Sequence, residues 1–334
     1  MGLGLLTLML SLPLNVWANS SPKPSIDKGT LIDLLTKQTG FSRGKVQSIL
    51  ADAQFIPSVI ERITTPYESR PYAEYRPLFV TGSMDKMGHA YLHEQQQVFN
   101  EVEKKYQVEA EVIAAILGLE TRFGRHKGKD RILDSLYTLA AGYPRRSAFF
   151  TRELGELLLL SEEEKLKPNK VMGSYAGAFG ATQFIPSSFR AYAVDEDGND
   201  HRDVWNSARD IIASVANYFH QHGWKHGQQI AFWLPGVQGE YAPAIRERSE
   251  KGFKAWSTLA ELRKQMQGKL PMTPADWRDD DKVALIDMQT KSGPRIALIH
   301  YNFYVITRWN RSYNYAMATT EVAAMLGCST CKVK

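Results

Sequence analysis

The segment VEAEVIAAILGLETRFGR, residues 108–125, is an apolar helix pattern that ends in a glutamate. Counting back from Glu120 in steps of four gives Ile116, Val112 and Val108, which share one face of a helix. Glu120 is therefore the fourth member of a row that faces the protein interior. A carboxyl group at such a position is costly unless it is paired, hydrogen-bonded or used in chemistry.

This pattern allows two interpretations of Glu120. An apolar wall favours the protonated carboxyl group, which a general acid near neutral pH requires. Alternatively, Glu120 pairs with Arg122 or Arg125 and only closes the helix, although these residues lie two and five positions away. The favourable spacing for such a pair is three or four residues. Periodicity alone does not choose between catalysis and helix closure.

The N-terminal segment MGLGLLTLMLSLPLNVWANSS carries no charged side chain and has an apolar core from about Leu3 to Leu14. Val16 and Ala18 are small residues at the two positions that define a cleavage site, so residues 1–18 are predicted to be a secretory signal peptide. The apolar run is shorter than the roughly 20 residues that a membrane span needs. Since no cysteine lies near the cleavage site, we expect an exported protein, soluble after signal-peptide cleavage and not lipid-anchored.

The composition is that of an ordinary globular protein, with 43% apolar and 23% charged residues. The net charge of +5 mildly favours an anionic partner such as a cell-wall polymer, and is too small to indicate a nucleic-acid partner. The two cysteines, Cys328 and Cys331, would form a tight disulfide in an oxidising compartment, or are incidental.

The patterning predicts a mainly α (α+β) protein. Helical periodicity runs through most of residues 25–221. Short strand-like runs rich in Val, Ile and aromatic residues follow, namely QIAFWL, KVALIDM and RIALIHYNFYVITRW, with one helical segment, KAWSTLAELRKQ, among them. We therefore expect a helical body with a small strand-bearing unit near residues 226–304.

Two motifs offer groups that bind an oxygen-rich substrate. In GYPRR, Arg145 and Arg146 follow a proline-defined turn and would suit a carboxylate-bearing ligand, unless they only begin a solvated helix. In GSYAGAFGATQF, residues 173–184, the glycines allow close backbone approach. Ser174, Tyr175 and Gln183 would supply polar contacts to a sugar chain there, and Phe179 a stacking face. Tight helix packing at the glycines is the alternative.

An acidic loop follows the glycine-rich segment. Oxygen ligands stand at positions 1, 3, 5 and 7 of an EF-hand-like loop, supplied by the side chains of Asp195, Asp197 and Asn199 and the carbonyl of His201. Position 6 is Asp200 instead of glycine, and position 12 is Asn206 instead of a bidentate carboxylate. Asp210 is placed to supply the missing carboxylate. The loop is either a calcium site or a plain acidic turn.

The last motif is the aromatic stretch IHYNFYVITRWNRSYNYAMA, residues 299–318. Such a stripe is more often core than site. However, Trp309, Asn310 and Tyr315 combine flat faces with groups that form hydrogen bonds.

Taken in order, ETRFG, GYPRR, GSYAGAFGATQFIPSSF, the acidic loop, SVANYFHQHGW and NFYVITRWNRS resemble the lytic murein transglycosylase B family of bacterial cell-wall enzymes. The resemblance extends from about residue 25 to about residue 324. It implies a lysozyme-like helical core together with an N-terminal helical domain and a small β-containing domain. The corresponding division is 1–18 signal peptide, 19–100 helical domain, 101–225 catalytic core, 226–304 β-containing domain, and 305–334 a C-terminal segment that returns to the cleft.

The resemblance also implies roles for individual residues. Glu120 would be the sole catalytic acid. Substrate-binding positions map onto Arg145, Arg146, Ser174, Gln183, Tyr218, Trp309, Asn310 and Tyr315. The calcium loop of the family maps onto Asp195, Asp197, Asn199, His201 and Asp210. No cofactor would be needed for chemistry, and any calcium would be structural.

The implied reaction cleaves the β-1,4 bond between N-acetylmuramic acid and N-acetylglucosamine and leaves a 1,6-anhydro-muramyl end. The expected partners are peptidoglycan glycan strands and muropeptides, with wall-synthesis proteins as further candidates, and the protein is expected to be a monomer. Three alternatives remain at this point: a hydrolytic muramidase using the same glutamate, a non-catalytic peptidoglycan-binding protein, and a calcium-regulated structural protein.

Overall fold

The structure, a computed structural model, describes residues 22–64, 70–236 and 240–333 and confirms the mainly α prediction. The α-helices are α1 Lys28–Thr39, α2 Arg43–Ala51, α3 Pro57–Ile63, α4 Tyr72–Tyr75, α5 Gly82–Glu94, α6 Gln96–Tyr106, α7 Ala110–Thr121, α8 Ile132–Gly142, α9 Ser147–Glu163, α10 Pro186–Tyr192, α11 Ala208–Gln221, α12 Pro243–Lys251, α13 Leu259–Gln265, α14 Tyr301–Trp309 and α15 Tyr313–Met325. The strands are β1 Asp130–Arg131, β2 Met172–Gly173, β3 Ala231–Trp233, β4 Ser257–Thr258, β5 Lys282–Thr290 and β6 Gly293–Ile299.

The predicted signal peptide, residues 1–18, lies outside the described residues. Within the described part of the chain, every helix is too short or too polar to traverse a lipid bilayer.

Side-chain capping explains where several helices begin. The oxygen of an Asp, Ser or Thr accepts a hydrogen bond from a backbone N–H in the first helical turn at Asp27, Ser42, Thr81, Ser207 and Ser312, which precede α1, α2, α5, α11 and α15. Each such cap satisfies a donor that the helix itself leaves unpaired.

Helix α7 lies at the centre of the helical body. Its residues from Val112 to Leu119 are all buried, and α5, α6, α11 and α15 pack around it. The predicted row of Val108, Val112 and Ile116 is fully buried, but burial extends around the whole helix instead of following one stripe. Glu120, near the carboxyl end, is half-buried.

The larger sheet is antiparallel in the order β3–β6–β5–β4, and both of its faces are buried. Because side chains alternate along a strand, one face joins the main helical core and the other a second, smaller core under α12 and α13. The first face carries Trp233, Ala284, Ile286, Met288, Ala297 and Ile299. The second carries Phe232, Leu234, Val283, Leu285, Ile296 and Leu298. The domain boundaries given above remain a prediction.

The prediction that RIALIHYNFYVITRW is one strand-like run is wrong in its second half. Pairing of β6 with β3 and β5 ends at Ile299. His300 then precedes α14, whose residues Asn302, Phe303 and Ile306 are buried. Aromatic and β-branched residues favour strands only where neighbouring strands are available, so tertiary packing decides this segment.

The C-terminal turn closes one edge of the sheet. Cys328 and Cys331 form a disulfide with a Cα–Cα distance of 5.4 Å, and both cysteines are buried. Trp233 of the edge strand β3 donates its backbone N–H to the carbonyl of Val333 at 3.2 Å. The cysteine pair therefore holds a segment that covers an otherwise exposed strand edge.

The second core predicts a large effect of a cavity at Leu298, which is fully buried in the central strand β6. Leu298→Ala should lower the free energy of unfolding by about 2–5 kcal/mol, because buried contacts are lost and the site cannot fully collapse. Leu34→Ala is the matched control because Leu34 is 45% exposed, and it should change stability by about 0.5 kcal/mol or less. Urea unfolding measures both. Equal losses for the two variants would contradict the assignment of Leu298 to a packed core.

Candidate active site

The end of α7 presents Glu120 on an unusual backbone turn. The three residues after Thr121, namely Arg122, Phe123 and Gly124, all have positive φ, at 48°, 58° and 80°. The backbone N–H of Arg122 bonds to the carbonyl of Gly118 and that of Phe123 to the carbonyl of Leu117, each at 3.0 Å. These bonds satisfy carbonyls at the helix end, while the chain turns sharply away behind the glutamate.

Glu120 is held by two hydrogen-bond donors from distant parts of the chain. Its Oε1 accepts a hydrogen bond from Nε1 of Trp309 at 2.8 Å and another from the hydroxyl of Tyr315 at 2.6 Å. Trp309 is the last residue of α14, and Tyr315 lies in the first turn of α15. The corner between these helices therefore meets the carboxyl end of α7.

The two arginines of the helix-closure interpretation contact other groups. Arg122 donates to the carbonyl of Leu78 at 3.3 Å, and the guanidinium of Arg125 lies 3.2 Å from the sulfur of Met87. The contacts of Glu120 with Trp309 and Tyr315 favour a site over simple helix closure.

Tyr315 remains a hydrogen-bond donor at neutral pH and well into the alkaline range. Burial raises the pKa of its hydroxyl well above 10, and the neighbouring charge of Glu120 and the hydrogen bond to it raise that pKa further. The phenol therefore stays protonated beside the carboxyl group.

Trp309 rests on an aromatic cluster. Its ring stacks on Phe219 with centroids 5.6 Å apart and planes 6° from parallel, and it contacts Phe184 at 5.1 Å and the edge of Tyr218 at 4.8 Å. Tyr218 is itself buried and donates its hydroxyl to the carbonyl of Arg308 at 2.6 Å. Tyr218 thus packs against Trp309 and helps to hold its ring in place. A contact between Tyr218 and a sugar remains a prediction.

The glycine-rich segment forms a compact loop beside this cluster. Ser174 and Ala178 bond to each other, with the N–H of Ser174 donating to the carbonyl of Ala178 at 2.7 Å. Gln183 has a φ of 51°, and its side-chain amide donates to the carbonyls of Gly180 at 2.9 Å and Lys127 at 3.2 Å. Because Phe184 touches Trp309, the loop that carries Ser174 and Gln183 lies against the Glu120 site.

The glycines of this loop allow close backbone approach. Gly180 has a φ of 70°, and a Cβ atom there would lie 2.7 Å from a methyl group of Val204 and 2.8 Å from the Val204 carbonyl oxygen. The left-handed backbone and the close contact with Val204 require glycine here, so packing between helices is not the reason for it.

The prediction for Phe179 is wrong. Its side chain has 0% exposure and stacks on Trp205 with centroids 5.3 Å apart and planes 8° from parallel. A ring enclosed in this way has no free face for a sugar. The aromatic ring that the sequence suggested as a stacking face of this loop is part of the hydrophobic core.

Arg145 and Arg146 lie on a short 3-10 turn, Pro144–Arg146, and are exposed. The guanidinium of Arg146 sits 4.2 Å from the ring centre of Phe149 and 5.1 Å from that of Phe150. Asn310 directly follows Trp309, and its carbonyl accepts the N–H of Ser312 at 2.7 Å. The substrate contacts assigned to these residues remain predictions.

The acidic loop brings together three carboxylates. Oxygen atoms of Asp195, Asp197 and Asp210 lie within 4.8 Å of one another. Asp200, at the position where an EF-hand has glycine, adopts a φ of 67°, so the departure from the motif leaves the left-handed turn in place. An all-oxygen set of this kind suits a hard cation such as Ca²⁺.

Backbone N–H groups also stabilise these carboxylates. Desolvation opposes ionisation of Asp195, but hydrogen bonds from the N–H groups of Asp200, Gly198 and Asn199 outweigh it and lower the pKa of Asp195. The loop is therefore ordered around its carboxylates by its own amides.

Asp210 is fully buried, and this burial raises the pKa of its carboxyl group despite hydrogen bonds from the N–H groups of Asp203, Glu196 and Asp197. Asn199 accepts the N–H of His201 at 3.0 Å. The role of His201 as a metal ligand remains a prediction.

Three residues of the site were not singled out from the sequence. Phe184 and Phe219 form the support under Trp309, and Thr121 bonds across to the glycine-rich loop. All three stand inside the quoted motifs, so their neighbours in the sequence were the available signal.

A family model described as Transglycosylase SLT domain matches residues 30–324. The chain belongs to the lytic transglycosylase family. It is 36% identical over 301 residues to membrane-bound lytic murein transglycosylase B of Escherichia coli (strain K12), covering 87% of this chain and 80% of that protein. The recognition of the family from its ordered motifs is confirmed.

Solved structures confirm the lysozyme-like fold class of this transglycosylase. The soluble lytic transglycosylase SltB1 from Pseudomonas aeruginosa matches with a TM-score of 0.79 and 36% identity, over 89% of this chain and 97% of that one. The Escherichia coli lytic transglycosylase Slt35 in complex with calcium matches with a TM-score of 0.77 and 34% identity, over 91% of this chain and 93% of that one. SltB3 from Pseudomonas aeruginosa in complex with NAG-NAM-pentapeptide matches with a TM-score of 0.77 and 29% identity, over 90% of this chain and 80% of that one.

The loop geometry predicts that Gly180→Ala destabilises the protein. A left-handed φ and a Cβ contact of 2.7 Å both oppose alanine, so the free energy of unfolding should fall by more than about 1 kcal/mol. Gly44→Ala is the control, because a Cβ there meets nothing within 4 Å and alanine favours the helix by about 0.5–1 kcal/mol. Thermal unfolding of both variants measures the difference. A neutral Gly180→Ala would refute this account of the loop.

Proposed function

We propose that this transglycosylase cleaves the β-1,4 bond between N-acetylmuramic acid and N-acetylglucosamine in peptidoglycan, with Glu120 as its single acid and base. The observation that carries the proposal is the pair of donors, Trp309 and Tyr315, on one oxygen of a carboxyl group at the end of a buried helix. SltB3, whose fold is similar, has been crystallised with a NAG-NAM-pentapeptide, which supports the substrate class.

In the first step, the Glu120 carboxyl group donates its proton to the glycosidic oxygen. The bond from C1 of the muramyl residue to that oxygen breaks, and positive charge develops on an oxocarbenium-like ring. In the second step, the C6 hydroxyl of the same muramyl residue attacks C1. The Glu120 carboxylate takes the hydroxyl proton, which leaves a 1,6-anhydro end and restores the acid. Water is not consumed.

The surroundings of Glu120 suit this alternation between two charge states. When the proton leaves, the indole N–H of Trp309 and the phenol of Tyr315 stabilise the carboxylate through charge-assisted hydrogen bonds. The apolar helix behind Glu120 stabilises the protonated state. Because both donors act on Oε1, they also restrict the orientation of the carboxyl group.

The remaining substrate contacts follow from the resemblance and from the loop. We assign Ser174, Gln183 and Asn310 to polar groups of the sugars, and Trp309 to a sugar face. Arg145 and Arg146 are exposed and are assigned to the carboxylates of the stem peptide. The proposed substrate lies outside the cytoplasmic membrane, so the proposal places the mature protein in the periplasm, as its leader predicts.

The test uses purified sacculi and two variants of α7. Glu120→Gln removes the proton donor and should lower turnover by about 10²–10⁴-fold, while Glu111→Gln, on the same helix, should leave turnover near wild type. Mass spectrometry of wild-type products should show 1,6-anhydro-muramyl ends, which are lighter than reducing ends by one water.

Each alternative has its own outcome in this experiment. Reducing muramyl ends from the wild-type protein would indicate a hydrolytic muramidase. No turnover by the wild-type protein would favour a peptidoglycan-binding protein. Turnover that survives Glu120→Gln would show that the acid is a different residue.

We also propose that Asp195, Asp197 and Asp210 hold a structural calcium ion together with Asn199 and His201. The carboxylate oxygens are close enough for one ion to contact all three, and Slt35 has been crystallised with calcium. The ion would offset the repulsion among three neighbouring carboxylates and hold the loop, without a part in the chemistry of Glu120.

Calcium should raise the melting temperature of the wild-type protein relative to a chelator. At a calcium concentration 100-fold above Kd, binding adds about 2.7 kcal/mol to the free energy of unfolding. Each kcal/mol raises the melting temperature by roughly 2–4 °C for a large domain. Asp197→Asn should abolish the calcium response with little change to the empty loop. The Asp197 carboxylate accepts the Ser207 hydroxyl, whereas the loop amides bond to Asp195 and Asp210. Asp280→Asn, in a distant exposed turn, should keep the response. An unchanged melting temperature with calcium would refute the site.

A further inference from the structure

We propose that Thr121 is a positioning residue whose hydroxyl fixes the catalytic end of α7 against the glycine-rich loop. The inference rests on the proposed function of Glu120 and extends it to the neighbouring side chain. Thr121 is 1% exposed, so it acts on the reaction only through the groups that it holds.

The hydroxyl of Thr121 bonds in two directions. It accepts the backbone N–H of Gly124 at 2.9 Å and lies 3.1 Å from the carbonyl oxygen of Ala181, to which it donates. The carbonyl of Leu117, four residues earlier, is slightly further at 3.3 Å. A buried helical threonine ordinarily bonds only to such a carbonyl of its own helix. Thr121 instead connects the helix end to a separate segment.

The first bond stabilises a strained turn. Arg122 and Phe123 are non-glycine residues in the left-handed region, a conformation that persists only where surrounding contacts hold it. The Thr121 hydroxyl binds the N–H of Gly124 at the end of this turn, and the Thr121 carbonyl accepts the N–H of His126 at 2.9 Å. Without the hydroxyl, the turn loses one of the bonds that oppose its relaxation, and Glu120 lies two residues before the first residue of the turn.

The second bond sets the position of the glycine-rich loop. Ala181 donates its own N–H to the carbonyl of Val204 at 2.8 Å, so it is held between Val204 on one side and Thr121 on the other. Gln183 follows two residues later. Thr121 therefore sets how far the acid, Glu120, lies from the polar groups of this loop.

This geometry predicts an effect on turnover instead of on substrate binding. Thr121→Val keeps the shape of the side chain and removes the hydroxyl, and it should lower kcat about 10–100-fold, since a shift of about 1 Å in a catalytic group costs up to about 100-fold. KM should stay within about twofold, because the aromatic cluster and the exposed arginines are unchanged. Thr121→Ser keeps the hydroxyl and should restore kcat to within about threefold of wild type.

Two controls separate positioning from a merely structural role. Thr320→Val also removes a fully buried hydroxyl, one that bonds within α15 to the carbonyl of Ala316 at 2.7 Å, and it should keep wild-type kcat. Thr320→Val should also lose stability, because it removes the buried hydrogen bond to Ala316, so a loss of kcat confined to Thr121→Val separates positioning from stability. Rates are taken per folded molecule, and Thr121→Ala replaces the valine variant if the latter does not fold.

Wild-type kcat in Thr121→Val, or an equal loss in the valine and serine variants, would overturn the inference. Amide hydrogen exchange of Gly124 gives a readout that does not depend on turnover, and it should be faster in Thr121→Val than in Thr121→Ser. If the wild-type protein releases no anhydro product, the proposed function fails, whereas the exchange experiment still tests the bond. An active wild type with an unaffected valine variant would reject only the role of Thr121.

Discussion

The two hydrogen bonds on Oε1 of Glu120 are the constraint on which the rest of the site depends. They join residues 189 and 195 positions apart in the chain, so neither helix alone can form them. For both donors to reach one oxygen, the end of α7 and the corner between α14 and α15 must be fixed relative to each other. Burial of α7 fixes the position of its carboxyl end, and the small sheet helps to fix the corner between α14 and α15.

The sheet helps to determine where Trp309 lies. Strand β6 continues through His300 directly into α14, and both faces of β6 are buried, one in each core. Register and direction of a strand with two buried faces are strongly determined. The helix that follows therefore starts from a fixed position and delivers Trp309 to Glu120 at its far end, on a support formed by Phe219 and Phe184.

Residues whose role depends on local pattern could be predicted from the sequence, and those whose role depends on distant partners could not. Glu120 was visible because a carboxyl group interrupts an apolar helix, and Trp309 and Tyr315 because their motif follows the others in order. Phe179 was misjudged because nothing in its neighbourhood shows that Trp205 covers it. Thr121 was passed over because its decisive partner, Ala181, lies 60 residues away, while its short-range bond is what any helical threonine makes.

The proposed acid–base cycle requires Glu120 to take both charge states. The apolar body of α7 disfavours the charged form, and the donors on Oε1 oppose that preference. Tyr315 can balance the site only if it never gives up its own proton, and its burial beside Glu120 ensures this by raising the pKa of the phenol. The phenol therefore serves as a fixed donor in both halves of the cycle, and Glu120 remains the group whose proton moves. A tyrosine in water would be a weaker constraint, because its hydroxyl would exchange partners with solvent as the charge on the carboxyl group changed.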